Sequence, residues 1–252
     1  MENRFKNQER IIDENILAKT RFVIVGAGAI GSAVVLALSK MGMRRATVYD
    51  FDTLESHNFA NQLHPISQLG KPKVDSLLAV ARDYGDCTIT PINAPWTPGN
   101  AVDADVVISC VDNMDVRKAL FDYYSGGRCK FFIDGRMSAF VFKVFGINCN
   151  DALSREPHYY RSTLHSQSNA SPEPCGEKSI IYTVLLVAGM MCSQVREWLT
   201  PEAKPYRNTA IVYDALNHTI TKVNHQEPVK MNIVEEETSE TDPISEEQAV
   251  AN

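Results

Sequence analysis

The stretch Arg21-Phe-Val-Ile-Val-Gly26-Ala-Gly28-Ala-Ile-Gly31-Ser leaves this chain few folds to choose from. Phe22–Val25 is a short apolar run, the glycines follow at once, and Ile30–Met41 carries apolar residues at helical spacing. The segment therefore reads as strand, tight turn and helix. Gly26 permits the turn, Gly28 lets backbone approach an anion, and Gly31 lets the helix meet the strand. The helix start offers unpaired N–H groups and the positive end of a dipole. Asp50, which with Phe51 and Asp52 closes the next apolar run, is placed to accept hydrogen bonds from ribose hydroxyls. The pattern predicts a bound nucleotide, and taken alone it fits NAD or FAD.

The rest of the chain supplies the frame. At 252 residues and 44% hydrophobic content it can bury one large core. A formal net charge of −6 excludes nucleic acid or an anionic membrane as the main partner. The six cysteines form no CxxC pair, which fits a reducing, cytoplasmic setting. The apolar segment Ile180–Val195 is short for a bilayer span and is broken by Tyr182, Thr183 and Ser193, so it reads as a buried helix. From about residue 226 the composition turns acidic, and 226–252 is predicted to be a disordered tail.

Further strands are predicted at Arg45–Asp50, Cys87–Ile92, Asp105–Val111, Lys130–Asp134 and Phe140–Ile147, with a terminal pair at Ala210–Asp214 and His218–Val223. Residues 53–70 read as a long loop. Val74, Leu77, Leu78 and Ala81 share a helical stripe that starts after Pro72, which puts Lys73 at a helix N-terminus, against the dipole. Asp112 and Asn113 follow a fully buried strand and precede the stripe Val116, Ala119, Leu120, Tyr123. In open α/β sheets ligands bind at such strand ends, and the same residue types also serve as plain helix caps. The expected fold is α/β: a Rossmann-like, mostly parallel sheet with C-terminal antiparallel strands, one domain over 1–225 with a long segment at 148–179.

The ordered set Gly26-x-Gly28-x-x-Gly31, Asp50-Phe-Asp52, Asn58-x-x-x-Gln62, His64, Gly70-Lys-Pro-Lys73 and Cys110-Val-Asp112-Asn113-x-x-x-Arg117 resembles the ThiF/MoeB/HesA-type adenylyltransferases, bacterial relatives of ubiquitin-activating enzymes. The likeness runs from about Arg4 to about Val223. It implies MgATP in place of NAD, and a reaction in which the C-terminal glycine carboxylate of a ubiquitin-like or sulfur-carrier protein attacks the α-phosphate. It implies Lys73 as a phosphate contact, Asp112 as the Mg²⁺ ligand, and Asp50, with Asp52 beside it, as the ribose acceptor. It further implies Asn58, Asn61, Gln62 and Asn113 around the nucleotide, Arg117 supporting the turn after Asp112, a homodimer, and Arg4 reaching the site in trans. The segment 148–179 corresponds to the family's crossover loop, and Cys175 to the place where some relatives carry a thioester-forming cysteine.

Three departures matter. Relatives read N-x-x-R-Q where this chain has Asn58-Phe-Ala-Asn61-Gln62, and their R-[YF]-x-R-Q reads Arg4-Phe-Lys-Asn7-Gln8. Two cations beside a triphosphate are thereby lost, with Lys6 and Lys71 adjacent to the altered positions. The paired zinc-binding CxxC motifs are absent, and Cys149, His158, His165 and Cys175 match no common zinc spacing, so no structural zinc is expected. Two other readings fit part of the pattern. A NAD-dependent oxidoreductase accounts for the glycines and Asp50 but not for Lys73, Asp112 and Arg117; a non-catalytic scaffold of the same fold accounts for Asn7 and Asn61.

Overall fold

The computed structural model describes residues 4–150, 156–165, 179–200 and 209–223. Cys175, Lys178, the tail 226–252 and most of the segment 148–179 lie outside the described residues.

Eight strands form one sheet: β1 (Phe22–Val25), β2 (Arg45–Tyr49), β3 (Thr88–Ile92), β4 (Val106–Ser109), β5 (Phe131–Ser138), β6 (Val141–Asn148), β7 (Thr209–Asp214) and β8 (Thr219–Val223). Their order is β3-β2-β1-β4-β5-β6-β7-β8. The first five positions pair in parallel, and β5 through β8 pair antiparallel. Strand alternation sorts the core into two layers. Phe22, Ile24, Val48, Val106, Ile108, Phe131 and Ile133 pack beneath α2 (Ala29–Met41), α3 (Lys73–Gly85) and α6 (Ile181–Leu199). Val23, Val25, Val107, Phe132, Phe145 and Ile147 point the other way, toward Leu120, Phe121 and Tyr124 of α4 (Met114–Tyr124) and Tyr160 of α5 (Glu156–Ser162).

Chain order and sheet order part company beside β1. From β1 the chain passes through α2 to β2 on one side, whereas β4 occupies the other side. The carboxyl ends of β1 and β4 therefore flank the switch point, where an α/β sheet opens a crevice.

Several expectations need adjustment. β5 runs four residues past Asp134, to Ser138, because its whole length pairs with β6. Residues 53–70 are not featureless: they hold 3₁₀ turns at Ser56–Ala60 and Ile66–Gln68. Two short helices were not predicted, α1 (Glu14–Lys19), capped by Asp13, and α5. The segment expected as a buried helix is α6, with Ile180 as its N-cap; it packs on α2, β5 and β6 by one face only and leaves Tyr182, Leu185 and Leu186 exposed, and no described helix is long and apolar enough to cross a membrane.

Candidate active site

The glycine turn sits at the switch point under tight steric control. Gly26 has φ +99°, and a Cβ there would fall 2.6 Å from the Cys110 carbonyl oxygen. A Cβ on Gly31 would fall 1.9 Å from the Gly26 carbonyl oxygen, so both glycines are required for the close approach of α2 to the β1 and β4 ends. Gly28 differs: a Cβ would meet nothing within 4 Å, and as the N-cap of α2 it provides no side-chain hydrogen bond to the helix amides. The first-turn amides of α2 are thus uncapped next to open space, which suits a phosphate. Gly31→Ala is expected to lower stability by about 1–3 kcal/mol or more through overpacking. Gly28→Ala is expected to leave the melting temperature nearly unchanged and to remove its rise with added nucleotide, which differential scanning fluorimetry would read for both variants.

Two side chains hold the Ala27 unit from opposite sides. Asp50 accepts from the Ala27 N–H at 2.6 Å and, with its other oxygen, from the Asp52 N–H at 2.8 Å. Burial raises the Asp50 carboxyl above the usual carboxylate range, and these bonds together with nearby Lys73 oppose that rise. His64, buried, places Nε2 2.9 Å from the Ala27 carbonyl oxygen and Nδ1 2.9 Å from Ser76 Oγ on α3. A carbonyl can only accept, so Nε2 carries the proton, and in the neutral ring Nδ1 accepts from Ser76. His64 thereby ties the glycine turn to the helix that begins at Lys73. Burial lowers its pKa from the ordinary 6.5, so an unfolded chain binds the proton more readily than the folded one. The stability His64 contributes is complete above about pH 6.5 and is lost as pH falls toward its folded value. A melting temperature that declines from pH 7.5 to 5.5, and declines less in His64→Gln, is the expected result.

Lys73 is nearly buried, and its Nζ lies 2.6 Å from Asp52 Oδ2, while its backbone N–H donates to the Asp52 carbonyl at 2.9 Å. The ammonium is thus held at the start of α3 by a carboxylate that is itself half exposed. Asn58 is buried and shapes its own turn, accepting from the Glu55 N–H at 3.0 Å. Asn61 donates to Ser179 Oγ at 2.6 Å, which links this loop to the residue preceding Ile180. Gln62 Oε1 is buried with no hydrogen-bond partner. The next residue, Leu63, donates its N–H to Ser32 Oγ in the first turn of α2 at 2.9 Å, and an orphaned acceptor in this loop is a further sign of a polar ligand.

On the β4 side, Asp112 is exposed and Asn113 caps α4, its Oδ1 accepting from Asp115 N–H at 2.9 Å and Val116 N–H at 3.0 Å. Arg117 is buried. Its Nη2 donates to the Val111 carbonyl, its Nη1 lies 2.9 Å from Met114 Sδ, and its Nε lies 2.7 Å from Asp134 Oδ1. Asp134 was read only as part of a strand; here it is fully buried between Arg117 and Arg136, the latter 2.7 Å from Oδ2. Burial alone would raise the Asp134 carboxyl, yet the two guanidiniums hold it below its ordinary value. Cys110, next to the glycine turn, is a packing residue: burial pushes its thiol up, away from the thiolate form. Among the described residues no group of three or more His, Cys, Asp or Glu could hold a metal by itself, so any cation at Asp112 would need ligand phosphates to complete its shell.

The site thus joins Cys110, the glycine turn, Asp50, His64, Asp52 and Lys73 through direct contacts. Arg4 is not part of it within one chain. It donates to the Gly85 carbonyl at 2.6 Å, at the far end of α3 from Lys73, roughly 18 Å away at 1.5 Å per residue. The family model described as "ThiF family" matches residues 8–232. The chain belongs to the ThiF family. Among its relatives in that family, the molybdopterin-synthase adenylyltransferase of Escherichia coli (strain K12) is 27% identical over 227 residues, 84% of this chain and 83% of that protein. The SAMP-activating enzyme E1 of Haloferax volcanii is 23% identical over 217 residues, 83% of this chain and 78% of that protein. E. coli MccB, solved with ATP, superposes with a TM-score of 0.68 at 15% identity over 89% of this chain and 71% of MccB, a likeness of fold. The ThiF fold therefore accounts for both the parallel half and the antiparallel end of the sheet.

Proposed function

We propose that this chain is an ATP-dependent adenylyltransferase that activates the C-terminal carboxylate of a ubiquitin-like or sulfur-carrier protein. The observation that supports the reading is an uncapped glycine turn linked through Asp50 and Asp52 to a lysine at a helix start, with an exposed aspartate just past β4, in a chain of the ThiF family. The relatives named for adenylylation and for activating SAMP support the carboxylate substrate.

When bound, MgATP supplies an electrophilic α-phosphorus and pyrophosphate as the leaving group. The chain's residues bind, orient and balance charge around it. The α2 amides receive phosphate oxygens, and Asp50 retains lone pairs for a ribose hydroxyl. Lys73 directs positive charge at the phosphates, where an attacking carboxylate would otherwise be repelled. Asp112 would hold Mg²⁺ as a hard oxygen ligand. The homodimer and the cytoplasmic location belong to the same proposal. Exposed Tyr182, Leu185 and Leu186 recur along one side of α6, an apolar face of the kind a two-fold interface covers.

The test is carboxylate-dependent exchange of radiolabelled pyrophosphate into ATP with a panel of ubiquitin-like proteins ending in glycine, each paired with its C-terminally amidated form. Exchange with a free tail and none with the amide is expected. Thermal stabilisation by MgATP without exchange across the panel would favour the scaffold reading, and stabilisation by NAD alone would overturn the adenylation reading.

A further inference from the structure

The Asp134 carboxylate is committed at both oxygens, Oδ1 to Arg117 and Oδ2 to Arg136, each at 2.7 Å. Neutralising one buried carboxylate needs one arginine, so the second demands a reason. Its remaining donors supply one. Arg136 Nη1 and Nη2 reach the Thr163 carbonyl at 3.1 Å and Thr163 Oγ1 at 3.0 Å, and the guanidinium lies 4.5 Å from the Phe145 ring centroid and 5.3 Å from that of Tyr160. Thr163 directly follows α5, within the connection from β6 to α6. On the other side, Arg117 holds Val111 and Met114, the residues that bracket Asp112 and Asn113.

We propose that Arg136 is a positioning residue: the seating of α5 on its guanidinium sets, through Asp134 and Arg117, the turn that carries Asp112. Asp134 receives one Nε–H from each arginine, and the Nη donors are spent outward, on Thr163 by Arg136 and on Val111 by Arg117, so a shift of either guanidinium changes the geometry offered to the other. When α5 is seated, Thr163 fills both outer donors of Arg136 and the bridge is complete. When α5 lifts, a desolvated guanidinium loses two acceptors, and Asp134 is drawn with it toward a new balance. Arg117 then releases part of its hold on Val111. The position of α5 is thereby reported to the turn that leads into α4, on the same face of the sheet. Given the adenylation reading, on which the role of Asp112 rests, a tail that presses α5 down would tighten the cation-binding turn at the moment it is needed.

Thr163→Val removes one acceptor of the fork and leaves the buried ions intact, and Arg136→Lys keeps the charge while losing the fork. Amide hydrogen exchange of the nucleotide-free proteins is the first measurement. Exchange at Asp115, Val116 and Arg117 is expected to quicken by about tenfold in Thr163→Val, the scale of one lost hydrogen bond to a charged group. Amides of α3 should not change, and Arg136→Lys, which loses both Thr163 contacts, should quicken Asp115–Arg117 at least as much as Thr163→Val. Acceleration confined to α5, with Asp115–Arg117 unchanged, would overturn the coupling. Calorimetric titration with MgATP is the second measurement, and about a tenfold weaker Kd in Thr163→Val is expected from the same lost bond. An unaltered Kd beside a loosened turn would overturn the link to Asp112. Wild-type protein that binds no MgATP would sink the adenylation reading, and exchange alone would then decide the coupling.

Discussion

Lys73→Ala is expected to lower carboxylate-dependent pyrophosphate exchange by about 10²–10³-fold, the loss typical of removing one preorganised charge-stabilising donor. The ammonium is nearly buried and already fixed by Asp52, so little ordering remains to be done when phosphate arrives. A lysine placed so is worth more than a mobile surface lysine, because its orientation is set in advance and its surroundings screen it weakly. Asp52, being half exposed, survives the loss of its partner without a buried charge, so the fold should hold. A large drop in turnover with a preserved circular dichroism spectrum and melting temperature is therefore the signature. Asp52→Asn should separate the two roles: the ammonium keeps its place on α3 but loses its anchor, and KM for ATP should move more than it does for the carrier protein.

Asp134→Ala is expected to cost about 3–5 kcal/mol, since it leaves two guanidiniums in the interior with no counter-charge. At this chain length that corresponds to a fall in melting temperature of roughly 6–20 °C. The position magnifies the effect. Asp134 is the last residue of β5 that pairs with β4, opposite Ser109, and Gly135–Ser138 continue only against β6. The parallel and antiparallel parts of the sheet meet at this rung, so both would loosen. Because Asp134 is held below its ordinary value, its contribution is complete above the unfolded carboxylate range and is lost as pH falls through the folded value. Acid titration of the melting temperature in wild type and Asp134→Asn should converge at low pH and reach full separation by about pH 5.

Sequence reasoning reached the elements that local chemistry dictates. β1 falls at Phe22–Val25 as expected, because a strand buried on both faces leaves an uninterrupted apolar run. The glycine turn was legible for the same reason: its shape depends on residues adjacent in the chain. β5 was cut short at Asp134 because a charge ends the apolar run, and the two arginines that let that charge stay buried are supplied by tertiary contact. α1 spans 6 residues and α5 spans 7, too few turns for a hydrophobic period to emerge. The site divides in the same way. Asp50 follows from spacing alone, whereas His64 acts on Ala27 across 37 positions and Arg136 on Thr163 across 27. His64 stood within the recognised motif without a role, because its worth lies in the two elements it joins.

The connection from β6 to α6 is pinned where it leaves and where it returns. At its start the Cys149 N–H donates to the Lys130 carbonyl at 2.9 Å, and at its end Ser179 bridges to Ala139 and accepts from Asn61. For a loop whose two ends are fixed, each doubling of length costs only about 0.6 kcal/mol in closure entropy. Length changes between those posts and outside α5, which Arg136 holds through Thr163, are therefore expected to be thermodynamically cheap, while the glycine turn tolerates not even a methyl group on Gly31. Tolerance to a change of length and intolerance to one added carbon thus sit in the same fold.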